Sequence, residues 1–194
     1  MDKKQLIIEA AIRVFARDGL DKGKIADIAK EAGIGKGTVY EYFSSKTDVF
    51  KAIEEHITRG MVDVVEDILK KSISSEEKLR AIFSISVDHI NHMGDALLIV
   101  TELLVHGARG HIFDDGGTNT MVEMYSTYRD LVETILIEGI ENEEFREMNP
   151  PGIATLFLAF IDGIIWQYVF IKDTSNFKLL LDEALESFMK GIKL

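Results

Sequence analysis

Between Gly35 and Tyr42 the chain sets Lys36, Thr38, Tyr40 and Tyr42 among small residues, with Gly37 between the lysine and the threonine. Ammonium and hydroxyl groups at this density suit phosphate oxygens, and a threonine offers either its hydroxyl or its methyl to a base edge. No Arg, Asn or Gln stands in the segment to make a two-point base contact. Modest direct readout is therefore expected, with phosphate contacts and duplex shape supplying much of the affinity. Gly33-Ile34-Gly35-Lys36-Gly37-Thr38 has the outline of a nucleotide-binding loop, but that loop needs Ser or Thr directly after its Lys and a strand before it. Here Gly37 intervenes and a helical pattern precedes. A nucleotide site is rejected.

A second set of chemically able residues lies further along: His89, His92, Met93, Glu102, His106, Met121, Met124, Tyr125, Tyr128, Phe160, Asp162 and Trp166. Together they could line a mostly apolar cavity with a few polar anchors, and Met and aromatic side chains adapt to flexible ligands. Asp162 interrupts the apolar run 153–171, so its carboxylate needs a partner or a bound cation. The ligand such a set suits is apolar or cationic. His89 and His92 are three apart, and Glu102 and His106 four apart, so each pair shares a helix face and a zinc centre is an alternative. Such spacings arise often by chance in helices, and no Ser–His–acid arrangement stands out. Neither a metal, a cofactor nor an enzymatic activity is assigned.

These residues must be positioned by helices, because the periodicity is helical throughout and nothing alternates like a strand. The expected fold class is all-α, with nine helices. Leu6, Ala10, Val14 and Ile7, Ala11, Phe15 form rows that predict a helix over 3–18, closed by Gly19. Helices over 25–32 and 36–43 follow. Ala29 is small where two helices cross, Gly33 can turn the chain with positive φ, and Val39 is an apolar plug, which is the spacing of a helix-turn-helix. Ser45 and Asp48 start a helix reaching Lys70, a rod of ~35–38 Å able to carry motion away from the N-terminal head. Ser74 and Glu77 form a capping box opening a helix over 75–92. Helices over 95–106, 119–141, 150–172 and 175–192 complete the nine, with Asn149-Pro150-Pro151 as a start signal and 107–118 as a Gly- and Asp-rich loop.

Composition sets the outer limits. The 194 residues are 46% hydrophobic, enough for a core, and contain no cysteine, which excludes disulfides, thiolate metal sites and a cysteine nucleophile. Net charge is −11, yet it is unevenly spread: residues 1–46 hold nine Lys/Arg against seven Asp/Glu, the remainder thirteen against twenty-six. A mildly basic head on an acidic body fits a nucleic-acid reader joined to a domain with another partner. The boundaries expected are 1–46 for the reader and 47–194 for the rest. The N-terminus lacks the unbroken apolar core of a signal peptide, and Asp162 in the longest apolar run argues against a membrane span. A cytoplasmic protein with no membrane partner is expected.

The segments IIEAAIRVFARDGL and IADIAKEAGIGKGTVYEYFSSKTDVF resemble the tetracycline-repressor (TetR) family of bacterial transcription regulators over the first quarter of the chain. The resemblance implies a homodimer whose heads bind palindromic double-stranded DNA, and whose body binds a small effector that releases it. It places Lys36, Gly37, Thr38, Tyr40 and Tyr42 on the DNA side, and Lys46 at a position that commonly meets a phosphate. Two departures stand out: Gly23 and Lys24 replace the usual Thr or Ser opening the second helix, and Gly35 replaces a Ser before the recognition-helix lysine. The Lys24 ammonium could replace the first hydroxyl, and Gly35 leaves backbone N–H groups open to a phosphate. For dimerisation, Phe157, Ile161, Ile164, Ile165, Tyr168, Phe177, Leu181, Leu185 and Phe188 suggest more apolar face on the last two helices than one protomer buries. A DNA-binding protein with a solid body and no effector is the main alternative.

Overall fold

The computed structural model describes residues 2–93, 99, 101–102, 105, 120–170 and 177–194; side chains at 61, 89–93, 120–121, 165, 168–170 and 177 fall outside that description. The fold is all-α. Eight helices are delimited among the described residues: α1 (Lys3–Lys22), α2 (Ile25–Glu31), α3 (Lys36–Tyr42), α4 (Lys46–Leu69), α5 (Ser75–Met93), α6 (Thr120–Glu141), α7 (Pro150–Phe170) and α8 (Phe177–Ile192). The helix expected over 95–106 is described at Ile99, Thr101, Glu102 and Val105 alone, each helical. An isolated antiparallel bridge joins Phe145 to Lys193.

Local signals place most helix ends. The Asp48 N–H donates to Ser45 Oγ at 3.0 Å, and Glu77 N–H to Ser74 Oγ at 3.1 Å while Glu77 Oε2 accepts the Ser74 N–H at 2.9 Å. α1 runs one turn beyond its expected end. Gly19 takes φ 76° and ψ 160°, a break that only glycine tolerates cheaply, and the chain then resumes a helical turn to Lys22. Gly23 N–H closes that turn on Gly19 O at 3.0 Å.

Contacts divide the chain into two compact units, Met1–Gly60 with Met93–Met124, and Met61–His92 with Tyr125–Leu194. The first is built on Ile7, Ala11, Val14 and Phe15 of α1, Ile28 and Ala29 of α2, Val39 of α3, and Val49, Phe50 and Ile53 of α4, joined by Ile99. The second buries Leu79, Ile82 and Phe83 of α5, Val132, Ile135 and Leu136 of α6, Phe157, Ile161 and Ile164 of α7, and Leu181, Leu185 and Met189 of α8. Phe83 stacks on Phe160 at 5.1 Å between centroids, and Phe157 meets Phe188 at 5.4 Å. A Cβ at Gly139 would collide with the Phe145 ring, so glycine is what lets that ring close the unit's end.

Five residues expected to face a second copy, Phe157, Ile161, Ile164, Leu181 and Leu185, lie inside the chain's own core, and Phe188 is half-buried. The side chains of Ile165, Tyr168 and Phe177 lie outside the described residues. α7 is apolar nearly all round, so filling the core on one face still leaves Leu156 exposed on another, while α8 exposes Leu179 and Leu180. No described helix is long and apolar enough to cross a membrane.

Candidate nucleic-acid interface

The head is shaped by three small-residue decisions. Gly33, at φ 67°, turns the chain after α2, and Ile34 N–H returns to Ala29 O at 3.0 Å. Ala29 is almost fully buried where α2 meets its neighbours, and Val39 is fully buried as the plug of α3. Gly35 is the N-cap of α3 with extended φ/ψ and no side-chain cap, its carbonyl accepting Thr38 N–H at 3.0 Å.

Burying Val39 and Phe43 turns the other side of α3 outward. Lys36, Gly37, Tyr40 and Tyr42 are exposed and Thr38 is half-exposed; Tyr40 keeps 48% and Tyr42 40% of its surface accessible. Lys36 Nζ lies 5.7 Å from the Tyr40 ring centroid, a cation–π distance that steers the ammonium along the face of α3. An open depression of about 680 Å³ is bounded by Asp21, Lys22, Gly23, Lys24, Ile25, Ala26, Lys36, Tyr40 and Lys46. Lys22, Lys24, Lys36 and Tyr40 give this concavity N–H and O–H donors suited to anionic oxygens.

Lys24, expected as a substitute for a lost hydroxyl, is the exposed N-cap of α2 and makes no capping bond. Lys22 was not singled out from sequence; it reaches the depression because Gly19 breaks α1 and rotates the last turn. Gly23 has a packing reason: a Cβ there would sit 2.5 Å from Phe15 Cδ1. Lys46 is held by the chain's own backbone. Its ammonium donates to the carbonyls of Leu20, Asp21 and Gly23 at 2.5, 3.0 and 3.1 Å.

The effector candidates fall in both units. Glu102 and Met124 belong to the first, where Glu102 Oε2 is buried and has no hydrogen-bond partner among the described residues. Tyr125, Tyr128, Phe160, Asp162 and Trp166 belong to the second. There Tyr125 donates its hydroxyl to Asp162 Oδ1 at 3.0 Å. Burial pushes the Asp162 carboxyl above its ordinary range against the opposing pull of that bond, and burial together with Asp162 raises the Tyr125 hydroxyl. Tyr128, nearly fully buried, stands 3.5 Å from Ser86 Oγ, whose own proton goes to Ile82 O at 2.8 Å. His106, and the side chains of His89, His92, Met93 and Met121, lie outside the described residues.

The family model of bacterial regulatory proteins, tetR family, matches residues 7–53, spanning α1 to the start of α4. An uncharacterized HTH-type transcriptional regulator, YvdT of Bacillus subtilis (strain 168), is 31% identical over 146 residues, covering 75% of this chain and 71% of the relative. The chain belongs to the TetR family. The fatty acid metabolism regulator protein of Bacillus subtilis (strain 168) is 27% identical over 193 residues, 98% of this chain and 95% of that one. A TetR transcription regulator from Haloarcula marismortui ATCC 43049 has the same fold, with a TM-score of 0.84 at 18% identity over 100% of this chain and 99% of its own. A FadR transcriptional regulator from Bacillus subtilis, solved in complex with stearoyl-CoA, aligns at a TM-score of 0.70 and 22% identity over 97% and 98% of the two chains. These TetR-family relatives are named as transcriptional regulators, so the chain is a DNA-binding, helix-turn-helix regulator of transcription.

Proposed function

We propose that this regulator is a homodimeric repressor that leaves a palindromic operator when a small apolar effector bearing a cation or hydrogen-bond donor binds its C-terminal portion. Residues 1–46 read DNA and 47–194 bind the effector and pair the protomers. On the DNA side, Lys24, Lys36, Tyr40 and Tyr42 take phosphates, Thr38 touches a base, and Gly35 and Gly37 allow close approach. α7 and α8 pair with their copies through Leu156, Leu179 and Leu180. Gly152, Ala159 and Gly163 share the Leu156 face of α7, and a Cβ at Gly163 would meet nothing within 4 Å, which favours close helix packing.

The observation that carries the effector reading is Asp162. Among the described residues this half-buried carboxylate has one hydrogen-bond donor, Tyr125, and no ion-pair partner. A carboxylate accepts about four hydrogen bonds. A ligand donor therefore has a place to bind, with Trp166 one turn along the same face of α7 for its apolar part, while Phe160 points away from Asp162 and stacks on Phe83 and Phe188. The excess of acidic residues after residue 46 supports a neutral or cationic ligand over a polyanionic one, so an acyl chain would arrive without its coenzyme A.

Titration of a protein–duplex complex with hexadecyltrimethylammonium, stearic amide and stearoyl-CoA tests this. Release by the first two, lost in Asp162→Asn, is the expected result. Release by stearoyl-CoA alone, unaffected by Asp162→Asn, overturns the effector class. By linkage, duplex DNA must weaken effector binding by the same factor. Sedimentation of Leu179→Glu/Leu180→Glu as a monomer with weakened DNA affinity is expected for the pairing; an unchanged dimer removes these residues from it.

A further inference from the structure

We infer that Lys46 is a positioning residue for DNA binding: it holds the Leu20–Gly23 turn so that Lys22 and Lys24 stand in the basic depression, and it gives no contact to phosphate itself. The inference rests on reading that depression as the backbone-facing side of the head.

An ammonium has three N–H donors, and Lys46 directs them to three carbonyls, those of Leu20, Asp21 and Gly23. No donor remains for a phosphate oxygen unless the turn gives one up. These carbonyls lie at the C-terminal end of α1, where helix geometry leaves acceptors unsatisfied and a cation is favoured. Lys46 itself opens α4, where the helix dipole disfavours a cation, so its position is explained by the neighbouring helix end and not by its own.

The turn has few other restraints. Neither the end of α1 nor the start of α2 has a side-chain cap, because Gly23 and Lys24 occupy the positions where a hydroxyl or carboxylate would serve. The Phe15 ring closes against Gly23 from within the core, and Lys46 closes on the carbonyl side. Lys22 and Lys24 bracket Gly23, the residue held from both directions, and both line the depression with Lys36 and Tyr40. Loss of the clasp therefore displaces two ammonium groups at once.

The salt dependence of binding to a random-sequence duplex, followed by fluorescence anisotropy, separates the roles. Counted per DNA-bound head, one phosphate contact contributes about 0.9 to the slope of log K against log salt and two about 1.8, each figure doubling where both heads of a dimer engage, with Lys36→Met setting the scale for one contact. Lys46→Met is expected to lower the slope by about 1.8, with a lower Tm, and Lys24→Met should then add almost nothing in that background. Lys36→Met serves as the control: it should lower the slope by about 0.9 and add fully to Lys24→Met. A fall of about 0.9 for Lys46→Met, additive with Lys24→Met and at unchanged Tm, makes Lys46 a phosphate ligand and overturns the inference. An unchanged slope, with or without a lower Tm, reduces Lys46 to scaffold and also overturns it. If Lys46→Met does not fold, the same coupling is read in Lys46→Gln, which keeps two donors. Failure of the control, with Lys36→Met leaving the slope intact, counts against the DNA face and not against the clasp.

Discussion

The core made by α1, α2, α3 and the first two turns of α4 is wholly apolar, whereas outside it the first unit buries Glu54, Thr58 and a Glu102 oxygen, and the second unit encloses polar groups throughout its interior. In the first, Ile7, Val14, Phe15, Ile28, Val39, Phe50 and Ile53 close on one another. In the second, Lys78 and Ser75 are almost fully buried, Tyr128 nearly so, and Asp162 half so. The contrast follows from what each has to do. A DNA reader needs a rigid platform that fixes the direction of α3, and close-packed apolar residues supply it. A sensor needs interior polar groups with unused hydrogen-bonding capacity, which costs stability until a ligand arrives.

The sharpest way to break the comparison is to remove Phe15, whose ring is fully buried and seats Gly23. Phe15→Ala should cost about 3–5 kcal/mol by thermal or denaturant unfolding, and duplex binding should disappear. Duplex affinity surviving in Phe15→Ala would mean the head tolerates a void and is not the rigid platform described.

Next in size is the polar interior of the second unit. Lys78 Nζ, on a side chain 4% exposed, is held by both oxygens of Glu138, which is 39% exposed. Glu138→Ala leaves a buried ammonium unpaired and should cost roughly 2–3 kcal/mol, below the range for a fully buried pair because water reaches the glutamate. Lys78→Met removes the charge with the need for a partner and should cost under about 1 kcal/mol. Equal costs in urea denaturation would show the pair to be an ordinary surface contact.

Asp162→Asn should move stability the other way. Burial raises the Asp162 carboxyl in the folded chain, so its protonated form is favoured by folding. Its contribution is fully present below the unfolded-state value and is lost as pH rises through the raised folded-state value. At neutral pH the charged carboxylate is therefore a liability, and Asp162→Asn should have the higher Tm, with the difference shrinking in acid. A wild-type Tm equal to the variant's from pH 4 to 8 would remove the argument that Asp162 is kept for its ligand.

How far the sequence reaches is set by the range of the contacts. The caps at Ser45, Ser74 and Asn149 are read correctly because each bond spans three residues, and the helix-turn-helix is legible because Ala29, Gly33 and Val39 act within one short segment. The partners of Lys46 are not legible in the sequence, because they lie 23 to 26 residues earlier, at a turn whose shape depends on Gly19. Ile99 enters the first core from far outside the helix-turn-helix, which no local pattern signals. The apolar run of α7 announces burial without saying which face is buried, so Phe157 and Leu156 are interchangeable on paper and opposite in the fold.

The smallest effects are expected at the start of α5, where the second unit closes its end. Four N–H groups there have no partner within the helix. Ser74 donates to Glu77 Oε2 at 2.9 Å, Ser75 and Glu76 to the Glu144 carboxylate at 3.2 and 3.1 Å, and Glu77 to Ser74 Oγ at 3.1 Å. Ser74→Ala thus removes one bond of four and should cost about 0.5–1 kcal/mol, while Glu144→Ala removes two and should cost about 1–2 kcal/mol despite lying 69 residues away from Ser75. Ser75 Oγ is buried with no partner, so Ser75→Ala should be neutral or slightly stabilising. Ranking the three by chemical denaturation tests whether the second unit's polar interior is optimised at its structural end. If Ser75→Ala destabilises as much as Glu144→Ala, that hydroxyl is doing more than filling space, and the capped end is no longer distinct from the half-buried carboxylate at Asp162.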